Sequence, residues 1–323
     1  MFSIIIPLYN KAPYIGKAIG SIAAQTCQDF ELIIIDDGST DDSLDKLRVL
    51  SAEFREKNID FFNKLKIVEQ YNQGVSRTRN TGVELARNEY IAFLDADDWW
   101  SSNYLEEMAK LIRKYPDAGI WGAKYYKVKN GQEIDAKIPF DKNFVDGYID
   151  YLKIYSQTLW MPLWTGAVVV RKVVFKEIGG FNHSLTAGED FEFFVRTCVR
   201  YPIAYLNKSL AFYNQDVDFN NRAVGNALHA KENHMIFFDF GELNSIFDFR
   251  MVFEKLALYS LKAYHVEELY KKEVRVILNS VNWKSHSINE YLFFNVYPIC
   301  VLKLMKKTRF VLGGVWKKCR RFL

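Results

Sequence analysis

Ser3-Ile-Ile-Ile-Pro7 and Glu31-Leu-Ile-Ile-Ile-Asp36 are short, apolar and β-branched, and the stretch 12–25 that separates them is amphipathic. Runs that are apolar at every position suit strands covered on both faces, and strands that alternate with amphipathic helices read as an α/β domain with a parallel sheet. The rhythm continues outward. Strands are expected at 3–7, 31–36, 65–69 and 90–94, and helices at 12–25, 42–57, 75–87 and 103–115. Beyond these, the pattern predicts a strand at 166–171, a helix at 190–200 and two short strands at 203–205 and 210–213. After about residue 220 the pattern turns helical, with Ile236, Phe237, Phe240, Phe249, Phe253, Leu256, Leu258, Leu261 and Tyr264 at intervals that suit packed helices. The expected organisation is therefore an α/β domain over 1–220 and a helical region over 221–323. No internal repeat or Pro-rich hinge interrupts it.

Composition narrows the class. With 323 residues and 49% apolar side chains the chain can bury a sizeable core. Cys27, Cys198, Cys300 and Cys319 form neither a Cys-x-x-Cys pair nor a cluster with the five histidines, which predicts a reducing compartment. Met1-Phe2-Ser3 carries no basic side chain and its apolar run stops at Pro7, so no signal peptide is expected and the assignment is cytoplasmic. The net charge of +4 conceals an asymmetry: residues 291–323 hold eight Lys or Arg and no acid, which leaves the rest at −4. The apolar run 291–305 is broken by Asn295, Pro298 and Lys303 and is shorter than the roughly 20 residues that span a bilayer. Val301, Leu302, Phe310, Val311 and Trp316 alternate with Lys303, Lys306, Lys307, Arg309, Lys317, Lys318, Arg320 and Arg321. This suits peripheral contact with the inner face of an anionic membrane, the alternative being a solvated helical end. No nucleic-acid reading module accompanies the charge.

In a parallel α/β sheet the ligand lies beyond the carboxyl ends of the strands. The four expected ends are polar: Tyr9-Asn10, Asp36-Asp37-Gly38-Ser39, Asn72-Gln73-Gly74 and, after 90–94, Asp95-Ala-Asp97-Asp98. Carboxylates crowded this closely repel one another, an arrangement normally kept where a divalent cation neutralises it. For Asp98 a helix cap is the competing reading, because Asp98 or Ser102 could begin the helix at 103–115. No Gly-x-Gly-x-x-Gly follows the first strand and no Gly-x-x-x-x-Gly-Lys-Ser/Thr occurs, which disfavours dinucleotide and triphosphate cradles. Asp36-Asp37 can accept hydrogen bonds from a base or ribose, and Asp-x-Asp can hold a metal on a diphosphate. A nucleoside diphosphate with a transferable group fits both. Arg77 and Arg79 lie two apart at a helix start, so only one faces the crevice, and Arg77 is assigned to the nucleotide-sugar pocket.

Five pieces in order carry a resemblance: Ser3-Ile-Ile-Ile-Pro-Leu-Tyr-Asn10, Ile35-Asp-Asp-Gly-Ser-Thr-Asp-Asp42, Asn72-Gln-Gly-Val-Ser-Arg-Thr-Arg-Asn-Thr-Gly82, Phe93-Leu-Asp-Ala-Asp-Asp98, and Gly179-Gly-Phe181 with Gly188-Glu-Asp190. Over residues 2–214 the chain resembles family-2 glycosyltransferases of the GT-A type, inverting and metal-dependent. The resemblance implies a Rossmann-like GT-A fold with a mixed, mainly parallel sheet flanked by helices, its nucleotide-sugar half at about 1–100 and its acceptor half at about 101–220. It implies that Pro7, Tyr9 and Asp37 surround the base, that Asp95 approaches ribose or metal, and that Asp97 ligates Mn²⁺ or Mg²⁺. Asp190 falls at the family's general base. On position alone it could equally cap a helix, and Glu189 is the rival base. The implied donor is a UDP-sugar, ahead of a dTDP- or GDP-sugar. The implied acceptor is a lipid-linked glycan in surface polysaccharide or lipopolysaccharide assembly.

Some residues depart from the pattern. Many relatives place a histidine where this chain reads Tyr213-Asn-Gln-Asp-Val-Asp218, which leaves a third metal ligand open. The Gln-x-x-Arg-Trp signature of processive synthases is missing, which favours addition of a single sugar. Trp160, Trp164, Thr165 and Gly166 could wall an acceptor site or belong to the core. Two other functions fit less well. A non-catalytic nucleotide-sugar-binding scaffold would not need Asp37, Asp95, Asp97 and Asp190 together, and a nucleotidyltransferase would need a glycine-rich triphosphate loop.

Overall fold

Successive side chains of the first strand, β1 (Phe2–Leu8), enter opposite sides of the sheet, and both sides are apolar. Phe2, Ile4, Ile6 and Leu8 pack with Ile15, Ala18, Ile19 and Ile22 of α1 (Ile15–Ala23). Ile5 faces the other layer. The chain continues through β2 (Phe30–Asp36), α2 (Ser43–Lys57), α3 (Ile59–Phe62), β3 (Leu65–Glu69), α4 (Val75–Leu85) and β4 (Tyr90–Phe93). These four strands are parallel in the order β3-β2-β1-β4, so the direction of winding reverses between β1 and β4. That reversal opens a crevice at the carboxyl ends of the strands.

In this computed structural model, which describes residues 1–158, 160–217 and 234–311 and only the backbone of 306–311, the chain divides into two compact units, Met1–Ala227 and Leu228–Leu323. The first unit extends the sheet with β5 (Trp99–Trp100), β6 (Ile120–Lys129), β7 (Gln132–Asp135), β8 (Asp146–Ile149), β9 (Val168–Arg171) and β10 (Ile203–Asn214). Helices α5 (Tyr104–Lys114), α6 (Tyr151–Gln157), α7 (Lys172–Ile178) and α8 (Glu189–Cys198) lie between them in the chain. The order runs on from β4 as β9-β6-β10-β5, with β7 on β6 and β8 on β10. Here β6 and β10 are parallel to each other, whereas β9 runs antiparallel to both β4 and β6.

The second half differs from expectation: β7, β8, α6 and α7 were not anticipated, and three further differences have a physical reason. The two short strands at 203–205 and 210–213 are one strand, β10, whose register slips on either side of Ser209 where polar Asn207-Lys208-Ser209 interrupts the apolar pattern. The strand expected at 166–171 begins with a 3₁₀ turn, Thr165–Ala167, in which the Gly166 carbonyl accepts the Trp100 indole N–H at 2.7 Å. Strand β6 is central to the sheet, yet nothing in the periodicity announced it, because Lys124, Lys127 and Lys129 break its apolar run.

The second unit contains α9 (Phe247–Val266), with α10 (Lys271–Ser280), α11 (Ile288–Asn295) and α12 (Ile299–Val311) packed on it. Ile236, Phe240, Phe249, Leu258, Leu261 and Tyr264 are buried there, while Phe253 and Leu256 are half-buried. Glu254 is buried on α9 and satisfied: it accepts from Arg250 Nε at 2.9 Å and from the Asn282 amide at 3.2 Å, and pairs with His286 Nε2 at 2.8 Å. No described helix is long and apolar enough to cross a membrane. Trp316, Lys317, Lys318, Arg320 and Arg321 of the tail, together with Cys319 and Asp218, lie outside the described residues. So do the side chains of Lys306, Lys307, Arg309, Phe310 and Val311.

The seat of α4 on β1 depends on a missing side chain. A β-carbon built on Gly82 would stand 2.4 Å from Ile5 Cγ2. Gly82→Ala should therefore destabilise the protein by about 1–3 kcal/mol through overpacking, more than the roughly 1 kcal/mol gained from helix propensity. The check is the midpoint of urea unfolding of the full chain, and an unchanged midpoint would show that Ile5 yields without cost.

Candidate functional site

The loops after β1 and β2 are fastened to each other before any ligand is considered. Asn10 has φ of 52°, a left-handed conformation that asparagine tolerates, and its Oδ1 accepts the Thr40 amide at 2.8 Å. The Asn10 amide in turn donates to Ser39 Oγ at 3.2 Å. Asp37 is buried, and its carboxylate accepts from Gln70 Nε2 at 2.7 Å, the Gln73 amide at 2.9 Å and the Gly74 amide at 2.9 Å. Asp37 thus anchors the loop that leads into α4. Its neighbour Asp36 keeps one oxygen, Oδ1, buried with no hydrogen-bond partner. Pro7 is half-buried on β1, and Tyr9, just beyond it, is 44% exposed.

The Asp95–Asp98 cluster follows β4 at the winding reversal. Asp97 Oδ2 accepts from Lys11 Nζ at 2.6 Å, and both side chains are largely covered. Burial pushes the Asp97 carboxyl above its ordinary range, Lys11 opposes the rise and the Asp95 charge adds to it. Asp98 is not a helix cap: Asn103 occupies that position without a side-chain cap bond, and Asp98 Oδ1 accepts the Asn214 amide at 2.7 Å, tying the end of β10 to the cluster. Asp98 Oδ2 is buried without a partner. Burial and the Asp97 and Asp95 charges drive its carboxyl well above the usual carboxylate range.

Crowded carboxylates with an orphaned oxygen and an ammonium held against one of them form a setting that favours a cation. Carboxylate oxygens are the donors Mn²⁺ and Mg²⁺ take, so the residues present fit such an ion. Among the described residues no three His, Cys, Asp or Glu side chains close a metal cage. Mg²⁺ in particular often takes one or two carboxylates and completes its shell with water and substrate phosphates. Lys11 was missed by sequence reasoning. The one signal for it was a basic residue immediately after the first strand end.

Arg79, not Arg77, faces the carboxylates. Arg77 is exposed, whereas Arg79 is 4% exposed on the first turns of α4. Helical geometry turns residues two apart to different faces, and the buried face here is that of Ser76, Arg79 and Val83. Arg79 Nη2 donates to Asp95 Oδ1 at 2.6 Å and Nη1 to Glu189 Oε1 at 3.1 Å, while its Nε has no partner. Burial disfavours the guanidinium charge, but Asp95, Glu189 and Asp190 outweigh it and raise its pKa.

Glu189 and Asp190 open α8 behind Gly188, which takes the helix-cap position with φ of 84°, so Asp190 is not the cap. Burial, and then the Asp190 charge, push Glu189 up to about 7, with Arg79 pulling the other way. Asp190 is also raised, first by burial, with the Phe191 amide at 2.7 Å and Arg79 holding it down. The two acids have different neighbours. Glu189 is engaged by Arg79, whereas the charge of Asp190 contributes to the raised pKa of Tyr125, Tyr155 and Tyr213, behind burial in each case. Those tyrosines belong to an aromatic wall. Trp164 is buried with its ring 5.2 Å from that of Tyr125 and 5.1 Å from that of Tyr213, and half-buried Trp160 lies beneath Lys127. Thr165 and Gly166 are buried in the 3₁₀ turn.

A family model described as Glycosyl transferase family 2 matches residues 3–179, more than half of the chain. The chain belongs to this family. It is 31% identical over 229 residues to the PGL/p-HBAD biosynthesis glycosyltransferase of Mycobacterium bovis (strain BCG / Pasteur 1173P2), a match covering 69% of this chain and 80% of that one. It is 38% identical over 136 residues to the putative glycosyltransferase EpsH of Bacillus subtilis (strain 168), covering 42% of this chain and 37% of the relative. Several curated relatives are therefore matched over about a third of their length or less. Among solved structures, S. aureus TarS 1–349 in complex with UDP-GlcNAc superposes with a TM-score of 0.56 at 18% identity, over 97% of this chain and 81% of that one. The mannosyltransferase PcManGT from Pyrobaculum calidifontis in complex with GDP-Man and Mn²⁺ gives 0.55 at 16% identity, over 98% and 87%. At these identities the likeness is one of fold, the GT-A fold.

For this family-2 member the raised Glu189 pKa has a consequence for stability. A carboxyl whose folded pKa stands above its unfolded value favours folding when protonated, so that contribution weakens as pH rises from about 4.5 through about 7. Glu189→Gln, which mimics the protonated form, should melt above wild type at pH 8, with the gap shrinking as pH falls towards 4.5. Thermal denaturation across that range checks it, and a gap that widens at low pH would contradict the sign.

Proposed function

We propose that this family-2 member is an inverting glycosyltransferase that moves a single sugar from a UDP-sugar to a lipid-linked glycan acceptor in surface polysaccharide or lipopolysaccharide assembly. The observation that carries the proposal is the bridge made by Arg79, which brings the Asp95 cluster and the Glu189-Asp190 pair to one crevice. Carboxylates suited to a metal diphosphate and carboxylates suited to proton transfer then flank a single space. The PcManGT complex with Mn²⁺ and the TarS complex with UDP-GlcNAc support a nucleotide-sugar donor and a divalent cofactor.

In this reading Pro7, Tyr9 and Asp37 border the nucleotide, and Asp36 Oδ1 is a free acceptor beside them. Asp95 and Asp97 would hold Mn²⁺ or Mg²⁺. When bound, the ion supplies a Lewis acid for the charge that develops on the departing diphosphate. Lys11 and Arg79 add fixed positive charge close by, which favours the same charge in a covered site. Asp190 takes the proton of the acceptor hydroxyl while that oxygen bonds to the anomeric carbon and the bond to the diphosphate breaks on the opposite face. One displacement inverts the centre. Glu189, held by Arg79, orients that guanidinium.

Release of nucleoside diphosphate from UDP-, dTDP- and GDP-sugars, with Mn²⁺ or EDTA, tests the reading. One donor should be hydrolysed in a metal-dependent way and Asp97→Ala should remove that release. With an acceptor present, Asp190→Asn should lower kcat by about 10²–10⁴-fold, the usual contribution of a general base. If no donor is bound or hydrolysed the proposal fails, and full activity in Asp190→Asn would move the base to Glu189.

The basic tail is assigned to the inner face of an anionic membrane. Exposed Val301 and Leu304 on α12 and the eight basic residues of 291–323 support it. Replacing Lys306, Lys307, Lys317 and Lys318 with Glu should release the protein from phosphatidylglycerol vesicles while leaving metal-dependent donor hydrolysis intact. Undiminished vesicle binding would remove the assignment.

A further inference from the structure

Two lysines of β6 meet opposite surroundings. Lys124 is neutralised by an ion pair with Asp135 of β7. Lys127 is half-buried, and no carboxylate among the described residues pairs with it. Its ammonium lies 4.3 Å from the centroid of the Trp160 ring, and burial pulls its pKa below the ordinary lysine value. A cation–π contact offsets only part of the hydration that a covered ammonium without a counter-charge loses. Among the described residues the site is therefore short of one negative charge.

Its position says where that charge would come from. Lys127 is the register partner of Tyr213 in the parallel pair of β6 and β10, so the two side chains leave the same face of the sheet on strands about 4.8 Å apart. Tyr213 packs on Trp164, and its hydroxyl is pushed up to about 12 by burial and then by Asp98, Asp95, Asp97 and Asp190. Lys127 and Trp160 thus stand one strand away from the side chain that senses both groups of carboxylates. The face of Trp160 that Lys127 covers is one that the C–H groups of a sugar can take once an anion carried by that sugar draws the ammonium to the ring edge.

We infer that Lys127 and Trp160 form an oxyanion subsite for the acceptor, which takes a sugar bearing a phosphate or carboxylate group with its ring on Trp160 and its anion on Lys127. The inference rests on the glycosyl-transfer reading and narrows its acceptor to an anionic one. The two sources of such an anion are a phosphate, as at the lipid-linked end of a glycan, and the carboxylate of an acidic sugar.

Calorimetric titration of the full chain with Mn²⁺ and saturating UDP, using glucose 1-phosphate, glucuronic acid and glucose as probes, separates these. At least one anionic probe should bind tenfold or more tighter than glucose, and the stronger of the two names the source. Lys127→Met should reduce that preference to under twofold and Lys127→Arg should keep most of it, with matched melting curves showing that both variants fold. Equal affinity for glucose, a preference that survives in Lys127→Met, or no binding of either anion would overturn the subsite. Failure of wild type to bind UDP would instead overturn the donor reading, and the subsite with it.

Discussion

A buried guanidinium between two carboxylates is the interaction on which the site depends. Arg79 has almost no access to water, and Asp95 and Glu189 satisfy two of its nitrogens. Ion pairs in such a setting recover their desolvation cost only when the geometry is good, and removing one partner strands the others as unpaired charges. Arg79 therefore needs an acceptor at both positions, which the amide oxygen of Glu189→Gln would still supply beside the Asp95 charge. The two carboxylates come from opposite parts of the fold, one after β4 and one at the start of α8, so the pair of bonds closes the crevice across the sheet. The helix that presents Arg79 is itself held at two points. Asp37 grips the Gly74 amide at its start, and Gly82 lets its third turn lie directly on Ile5 of β1. A residue at the end of β2 thus sets the position of a charge that acts at β4 and α8.

The charge balance of the crevice follows from that construction. Asp95, Asp97, Asp98, Glu189 and Asp190 converge, against Lys11 and Arg79 as cations. Burial raises Asp97, Asp98, Glu189 and Asp190 alike, so the protein reduces the excess partly by favouring protonated acids. A dianionic diphosphate entering this space would meet repulsion from the same carboxylates. A divalent ion held by Asp95 and Asp97 would offset that repulsion, so the proposed donor calls for such an ion.

The first four strands and the polar residues at their ends were legible because each of these signals is local. β1, β2 and β4 are apolar at successive positions, and polar residues follow each at once, so the strands and the crevice could be read from periodicity alone. The carboxylates stood out as a cluster in sequence. Arg79 did not, since the choice between it and Arg77 depends on which face of α4 meets the sheet, a tertiary fact. Lys11 is one of many lysines until β1 and the loop after β4 are placed side by side. Asp98 was ambiguous for a similar reason: its partner is the Asn214 amide, and no local pattern predicts a bond to a strand end so distant in the chain.

The strands β6 and β10 resisted reading on physical grounds. A central strand is normally betrayed by an unbroken apolar run, but β6 lines a face that holds Lys127 and Trp160, so the residues that would bind a substrate erase the signal of the strand that carries them. β10 was hidden for a different reason: its polar stretch at 207–209, where Asn207 donates to the Phe144 carbonyl and Ser209 to Asp135, reads as a gap between two strands when it is an irregularity within one. Where a strand must both build the sheet and face a polar ligand, its period belongs partly to the ligand. The weakness of the β6 pattern is thus what placing a polar acceptor surface at the centre of a sheet would produce, and β1, β2 and β4, whose polar residues follow the strand ends, have no such conflict to hide them.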